Sequence, residues 1–203
     1  MDGIFIYWFG WMFWIVVSFF WPQSKKRIWT SMILLVLLSL LPFNLSIASS
    51  TIPVAYLLLS LYLCWRIRLH HAKKITYMLL FSLMIGAAYG GFQLILIFDP
   101  VIAFIDERWM SACLVVAISF VLARTFDVRF YLALFGLIQG DFLTGLVMRD
   151  LFFSYSEIGS LAFFDKIAIV SFFFGAIWSM MNLSSWIQRL LNKGRSSELQ
   201  QIS

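Results

Sequence analysis

Few side chains in this sequence are placed to do chemistry, and Asp141 stands apart from the rest. It lies inside an apolar run from about Phe130 to Met148, and a helix there would carry it about 16 Å along the run. That depth is near the centre of a bilayer, where an ionised Asp costs at least about 2.5–3.5 kcal/mol on insertion scales. The chemistry open to such a group is reversible binding of a proton or cation, or contact with a polar substrate. The plainer use is a buried anchor, protonated or hydrogen-bonded to a neighbour. Gln139 lies close by in the same run, and Asn182 is the nearest polar group in the last run. Asp141, Gln139 and Asn182 are the candidate intramembrane polar site. The charge assignment below leaves no intramembrane Lys, Arg or His to partner the acid.

Nothing else is arranged for chemistry. His70 and His71 are adjacent, so on a helix they diverge by about 100°, and no Cys, Asp or Glu stands beside them to complete a metal site. They read as a solvated juxtamembrane loop that, with Lys73 and Lys74, can touch anionic headgroups. Cys64 and Cys113 fall in opposite leaflets of the topology given below, too far apart for a disulfide. They read as small buried apolar residues. There is no nucleophile with its base, no HExxH, no phosphate-binding Gly loop and no haem attachment motif. No catalytic residue, metal or cofactor is expected, and the chain does not read as an enzyme.

Small residues recur in stripes on the runs that carry the polar groups. Gly136, Gly140 and Thr144 share one face of the sixth run, which Asp141 flanks. Ser82, Gly86, Gly90 and Gln93 do the same on the fourth, and Ser171, Gly175, Ser179 and Asn182 on the seventh. Small-xxx-small spacing lets helix backbones approach closely. Gly86, Gly90, Gly136, Gly140 and Gly175 are therefore the candidate packing residues. Spans four, six and seven should gather at the centre, with the Leu-rich second and third spans more peripheral. Tyr7, Trp11 and Trp14 share a face of the first run, where packing against a neighbouring helix is the expected use.

The elements that must position these residues are membrane spans. The chain has 203 residues, is 62% hydrophobic and only 12% charged, and has mean hydropathy +0.91. A soluble domain carries about a quarter of its residues charged. Seven apolar runs approach the roughly 20 residues a spanning helix needs. They are 3–21, 28–44, 51–65, 75–98, 109–123, 130–148 and 164–187. Proline breaks helix interiors, and Pro22, Pro42, Pro53 and Pro100 all sit at or near run ends.

Charge orients the spans. With the Lys25–Arg27 loop inside, Arg66, Arg68, Lys73, Lys74, Arg124, Arg129, Arg189, Lys193 and Arg195 also fall inside. Asp2, Asp99, Asp106, Glu107, Asp150, Glu157 and Asp165 fall outside, where the basic residues are Arg108, Arg149 and Lys166. Cytoplasmic loops carry the Lys and Arg excess, so the reading is N-terminus outside and C-terminus cytoplasmic. A six-span alternative, with the short second run not crossing, would split the basic loops between two sides. Trp21, Trp29, Trp65, Trp109 and Trp186 fall at interface depth. The first run lacks a basic n-region and is not read as a signal peptide. Lys25–Ser50 imitates one but follows another span. The net charge of +5 is accounted for by this positive-inside bias, and nucleic acid is not an expected partner.

The opening Met1-Asp2-Gly3-Ile4-Phe5-Ile6-Tyr7-Trp8-Phe9-Gly10-Trp11, the length and the seven-run plan resemble the YphA family of small integral membrane proteins of Bacillus-type bacteria. That resemblance implies a bacterial plasma membrane and brings no activity or site residues with it.

The fold expected is all-α: one bundle of seven transmembrane helices over 1–188, then a short polar cytoplasmic tail, 189–203. The function expected is a multi-pass cell-membrane protein of undetermined activity. A small transporter using the intramembrane acid is the first specific reading, and a non-catalytic assembly or partner-binding protein the second. The partners expected are the lipid bilayer and, on the second reading, another membrane protein. A transported ion or small molecule is not identifiable from the sequence.

Overall fold

A computed structural model describes residues 2–47, 50–68, 72–152 and 156–201. Among them are seven α-helices: α1 (Ile4–Ile15), α2 (Lys25–Leu40), α3 (Val54–Arg68), α4 (Ala72–Phe98), α5 (Glu107–Leu122), α6 (Phe126–Phe152) and α7 (Leu161–Gln201). Each coincides with one of the seven apolar runs. Short polar side chains start several of them by taking up free helix-end amides. Ser24 Oγ accepts from the Arg27 N–H at 3.3 Å, an Asp106 carboxylate oxygen from the Arg108 N–H at 2.9 Å, and Ser160 Oγ from the Phe163 N–H at 3.4 Å. The prolines lie outside the α-helices, as expected. Pro22 follows a π-helical turn, Val16–Phe20, that closes α1, and Pro100 opens a 3-10 turn, Pro100–Ile102, after α4.

Three of the described helical segments, Lys74–Phe98, Phe126–Arg149 and Leu161–Leu183, are long and apolar enough to cross a membrane; Ile4–Phe20 and Arg27–Leu40 are shorter apolar segments. Large apolar side chains stand exposed along several helices, among them Phe19, Phe20, Trp29, Met32, Leu61, Leu80 and Val121. Soluble monomers do not carry apolar surface on that scale. Trp8 and Trp11 belong to this outward set, and Trp11 meets Trp14 edge-on at 5.8 Å. The expected packing of the Tyr7, Trp11 and Trp14 face against a neighbouring helix is thus corrected for Tyr7 and Trp11, which are exposed. It is Gly10 that meets α2, since a Cβ there would lie 2.6 Å from Leu38 Cδ2.

A small sheet qualifies the all-α expectation. β1 (Asn44–Ile47) and β2 (Ser50–Pro53) form an antiparallel hairpin between α2 and α3, and β3 (Ser156–Glu157) joins β2 in parallel through Ser50↔Ser156 and Thr51↔Glu157. A two-residue strand has no periodicity to read in a sequence. The pairing ties the α2–α3 connection to the α6–α7 connection. The expected polar tail from residue 189 is also helical through Gln201. His70 and His71 lie outside the described residues.

The chain forms two compact units, residues 1–170 and 171–203. The second is the later part of α7, with Trp178, Met180, Met181 and Leu183 exposed; Gly175 belongs to it. The first holds the other elements and the start of α7. Its core includes Ile85, Tyr89, Val115, Leu132, Leu137, Phe163, Phe164 and Ile169, all nearly fully buried. α2 is peripheral as expected, but α3 buries Ala55, Tyr56, Leu63 and Ile67.

The centre of the first unit is the pairing of α4 with α6, and the small-residue stripes make it. A Cβ on Gly86 would stand 3.0 Å from the Gly140 backbone N, and one on Gly140 2.6 Å from the Gly86 carbonyl O. Gly136 faces Ile85 and the Ser82 carbonyl, and Gly90 faces Thr144 Oγ1 at 3.0 Å. The contacts advance in the same direction along both chains, so α4 and α6 run parallel.

Candidate functional site

Asp141 sits on α6 beside this seam, and a loop folds onto it. Gly159, two residues before α7, adopts φ +74°, a conformation side chains disfavour. A Cβ there would also lie 2.6 Å from Tyr56 Cδ2, so the position needs glycine twice over. The turn aims the Gly159 N–H at Asp141, whose Oδ2 accepts it at 2.8 Å. One turn along α6, Gly145 lets the neighbouring Ile158 sit against the helix, where a Cβ would be 2.6 Å from Ile158 Cγ1. On the other side, the Tyr56 hydroxyl donates to the Ile138 carbonyl oxygen at 2.9 Å. Asp141 is therefore gripped where α3, α6 and the entry to α7 converge.

Gln139 Oε1 is buried and has no hydrogen-bond partner among the described residues. Its Cβ lies 3.2 Å from where a Cβ on Gly86 would be, which keeps it on the α4–α6 seam. Asn182 belongs to the second unit, at an exposed position of α7.

The structure adds a buried ion cluster made of charges that lie at the ends of apolar runs in the sequence. Asp165, on α7, is 0% exposed. Its Oδ2 accepts from the Gly3 N–H and its Oδ1 from the Ile6 N–H, each at 2.8 Å. It thus caps the start of α1, where Gly3 has no side chain to do so, and places a negative charge at the positive end of that helix. Arg108, from the first turn of α5, donates from Nη1 to the same Oδ2 at 2.6 Å and from Nη2 to Asp2 at 2.5 Å. The starts of α1, α5 and α7 are pinned together by one carboxylate and one guanidinium.

Lys166 follows directly and is 5% exposed. Its Nζ donates to the Tyr89 hydroxyl at 3.4 Å, stands 5.5 Å from the centre of that ring, and pairs with Glu107 Oε1 at 3.6 Å. The Tyr89 ring packs on Gly140, the residue before Asp141, with a Cβ there 2.5 Å from Tyr89 Cδ1. Lys166 is thus a buried cation of the first unit, held by Glu107 and Tyr89. The sequence did hold a signal for it. Arg108 and Lys166 are two of the three basic residues on the side that carries the acids, and a basic residue on the wrong side of a charge pattern is a candidate for pairing rather than for topology.

Chemically, the arrangement is a polar path through apolar surroundings. Half-exposed Glu107 meets Lys166, Lys166 meets Tyr89, and Tyr89 packs against the segment bearing Asp141. Acid, amine and phenol in that order can exchange protons. Among the described residues, no three His, Cys, Asp or Glu side chains gather as metal ligands would.

Comparison with known proteins gives two matches. The family model described as "YphA-like integral membrane protein" matches residues 2–200. A Bacillus subtilis (strain 168) protein named "Uncharacterized protein YphA" is 24% identical over 151 residues, 74% of this chain and 75% of its own length. No solved structure matches.

Proposed function

Because the chain belongs to the YphA-like integral membrane protein family, we propose that it is a multi-pass protein of the cell membrane that crosses seven times, N-terminus outside and C-terminus cytoplasmic, and works as a small ion-coupled permease. Its coupling group is Asp141, with Lys166 as the charge partner. Alternation of the spans is supported by the parallel course of α4 and α6 and by the meeting of the starts of α1, α5 and α7. Orientation is supported by the Lys and Arg of the loops.

The observation that carries the permease reading is the buried Lys166 amine set between half-exposed Glu107 and Tyr89, whose ring packs on Gly140, the residue before Asp141. Burying a lysine that only seals a helix end is expensive, whereas an amine and a carboxylate that trade a proton as a solute binds are the parts coupling needs. The assembly reading loses part of its motive, since the stripes of α4 and α6 are filled by each other.

The test uses purified protein in vesicles with an internal pH dye, challenged with a panel of amino acids, sugars, organic anions and organic cations. At least one solute should drive proton movement in the wild type, and Asp141→Asn and Lys166→Met should abolish it while remaining folded. A wild type that moves no protons with any solute, or an Asp141→Asn protein indistinguishable from it, would sink the permease reading.

A further inference from the structure

The connection between α4 and α5, residues 99–106, is the most apolar exposed loop in the described chain, and its backbone is built for an environment without water. Val101 is 82% exposed, Phe104 89% and Ile105 65%, and Ile102 is also exposed. Water-facing loops do not usually present four large apolar side chains in five residues. The amides from Val101 to Phe104 are bonded within the segment. Pro100 has no N–H. The Val101 N–H donates to Asp99 Oδ1 at 3.2 Å, Ile102 to the Asp99 carbonyl at 3.4 Å, Ala103 to the Pro100 carbonyl at 3.2 Å and Phe104 to the Ile102 carbonyl at 3.0 Å. A loop in water has no need of this, because water satisfies exposed amides. A loop among acyl chains does, because each unmatched N–H there costs several kcal/mol.

We propose that residues 100–105 form a lipid-inserted interfacial anchor, seated in the leaflet that faces the starts of α1, α5 and α7. Beyond Asp99, the last turn of α4 also presents exposed apolar side chains, Ile95, Ile97 and Phe98. Asp99 and Asp106 bracket it, each using its carboxylate on a local amide and keeping an exposed flank for the headgroup layer. No Lys or Arg lies between Asp99 and Glu107, so insertion is driven by apolar burial and not by attraction to anionic headgroups. Trp109, just inside α5 and packed edge-on against Phe5 at 5.7 Å, lies at the depth where indole rings favour the membrane interface. The anchor would hold the short α4–α5 connection flat on the membrane and fix the height of Glu107 and Arg108, the two α5 residues of the ion cluster.

The experiment places a single environment-sensitive fluorophore on Phe104→Cys, in a chain with Cys64→Ser and Cys113→Ser, reconstituted in phosphatidylcholine vesicles. Ser24→Cys in the same background serves as the control. The label at 104 should emit to the blue of the control, be quenched several-fold more by a lipid spin-labelled near its headgroup than the control is, and resist iodide present on both sides. Quenching by iodide as strong as at position 24 would place the loop in water and overturn the anchor. Protection from both quenchers would place it under protein, either a second copy or a partner, and would overturn it equally. Both outcomes are independent of whether Asp141 couples transport.

Discussion

Arg108 holds a carboxylate with each arm of its guanidinium, Asp165 on one side and Asp2 on the other. Charge-assisted contacts of this kind are strong, but their value lies in what happens when one partner is removed. Asp165→Ala would take from Arg108 its one fully buried carboxylate, leaving the exposed Asp2 and Asp106, and would leave two α1 amides unmatched; breaking a buried pair in this way costs about 3–5 kcal/mol. Asp165→Asn keeps an acceptor for one amide and should lose distinctly less. Thermal unfolding in detergent reads both, and equal losses would show that the charge, which both variants remove, sets the stability and the remaining acceptor adds nothing. Asp141→Asn should behave in the opposite sense. An amide oxygen still accepts from Gly159, so stability should fall by less than about 1.5 kcal/mol, and the variant should elute and melt as a folded protein. A large loss would move Asp141 from function to architecture.

At the scale of elements, the α4–α6 seam tests how close two helices can come. Gly140 has the Gly86 carbonyl at 2.6 Å from a Cβ position, and backbone cannot swing away as a side-chain tip can. Gly140→Val should therefore separate the helices and cost about 1–3 kcal/mol or more. Gly91 is the internal control, because a Cβ there meets nothing within 4 Å. Gly91→Ala should be neutral or should stabilise by about 0.5–1 kcal/mol through helix preference alone. Melting temperatures of the pair decide the matter, and similar shifts would mean that the seam is not tight. The sequence carried this feature well. Glycines four apart on two helices announce close packing, and the fold brought those two stripes together. It did not announce the sheet, whose strand Ser156–Glu157 is too short to carry a pattern and exists only because β2 is beside it.

For the whole molecule, the seven-span topology makes a sharp prediction. Cysteines introduced at Ser24 and Glu157, in a chain freed of Cys64 and Cys113, should react with an impermeant reagent from opposite sides of a sealed membrane. Labelling from one side would end the model of alternating spans from α2 to the β3 strand. The same alternation explains why charge was both informative and misleading. On the proposed topology, Lys25, Lys26, Arg27 and the other loop residues orient the spans. Asp165 looks like any other acid of its side, and Arg108 and Lys166 differ only in being bases there, yet all three belong to a buried cluster.

By itself the sequence determined the membrane character, the seven helical runs, the proline-marked boundaries and the close-packing glycines. Each of these is written locally, in hydropathy over a span or in spacing along one helix. Only the tertiary structure decided that Gly159 folds back to hold Asp141, that Asp165 caps a helix beginning 162 residues earlier, and that Lys166 stands beside Tyr89. Those contacts join residues far apart in the chain through long side chains and a left-handed glycine. No periodicity records which distant partner a buried charge will find.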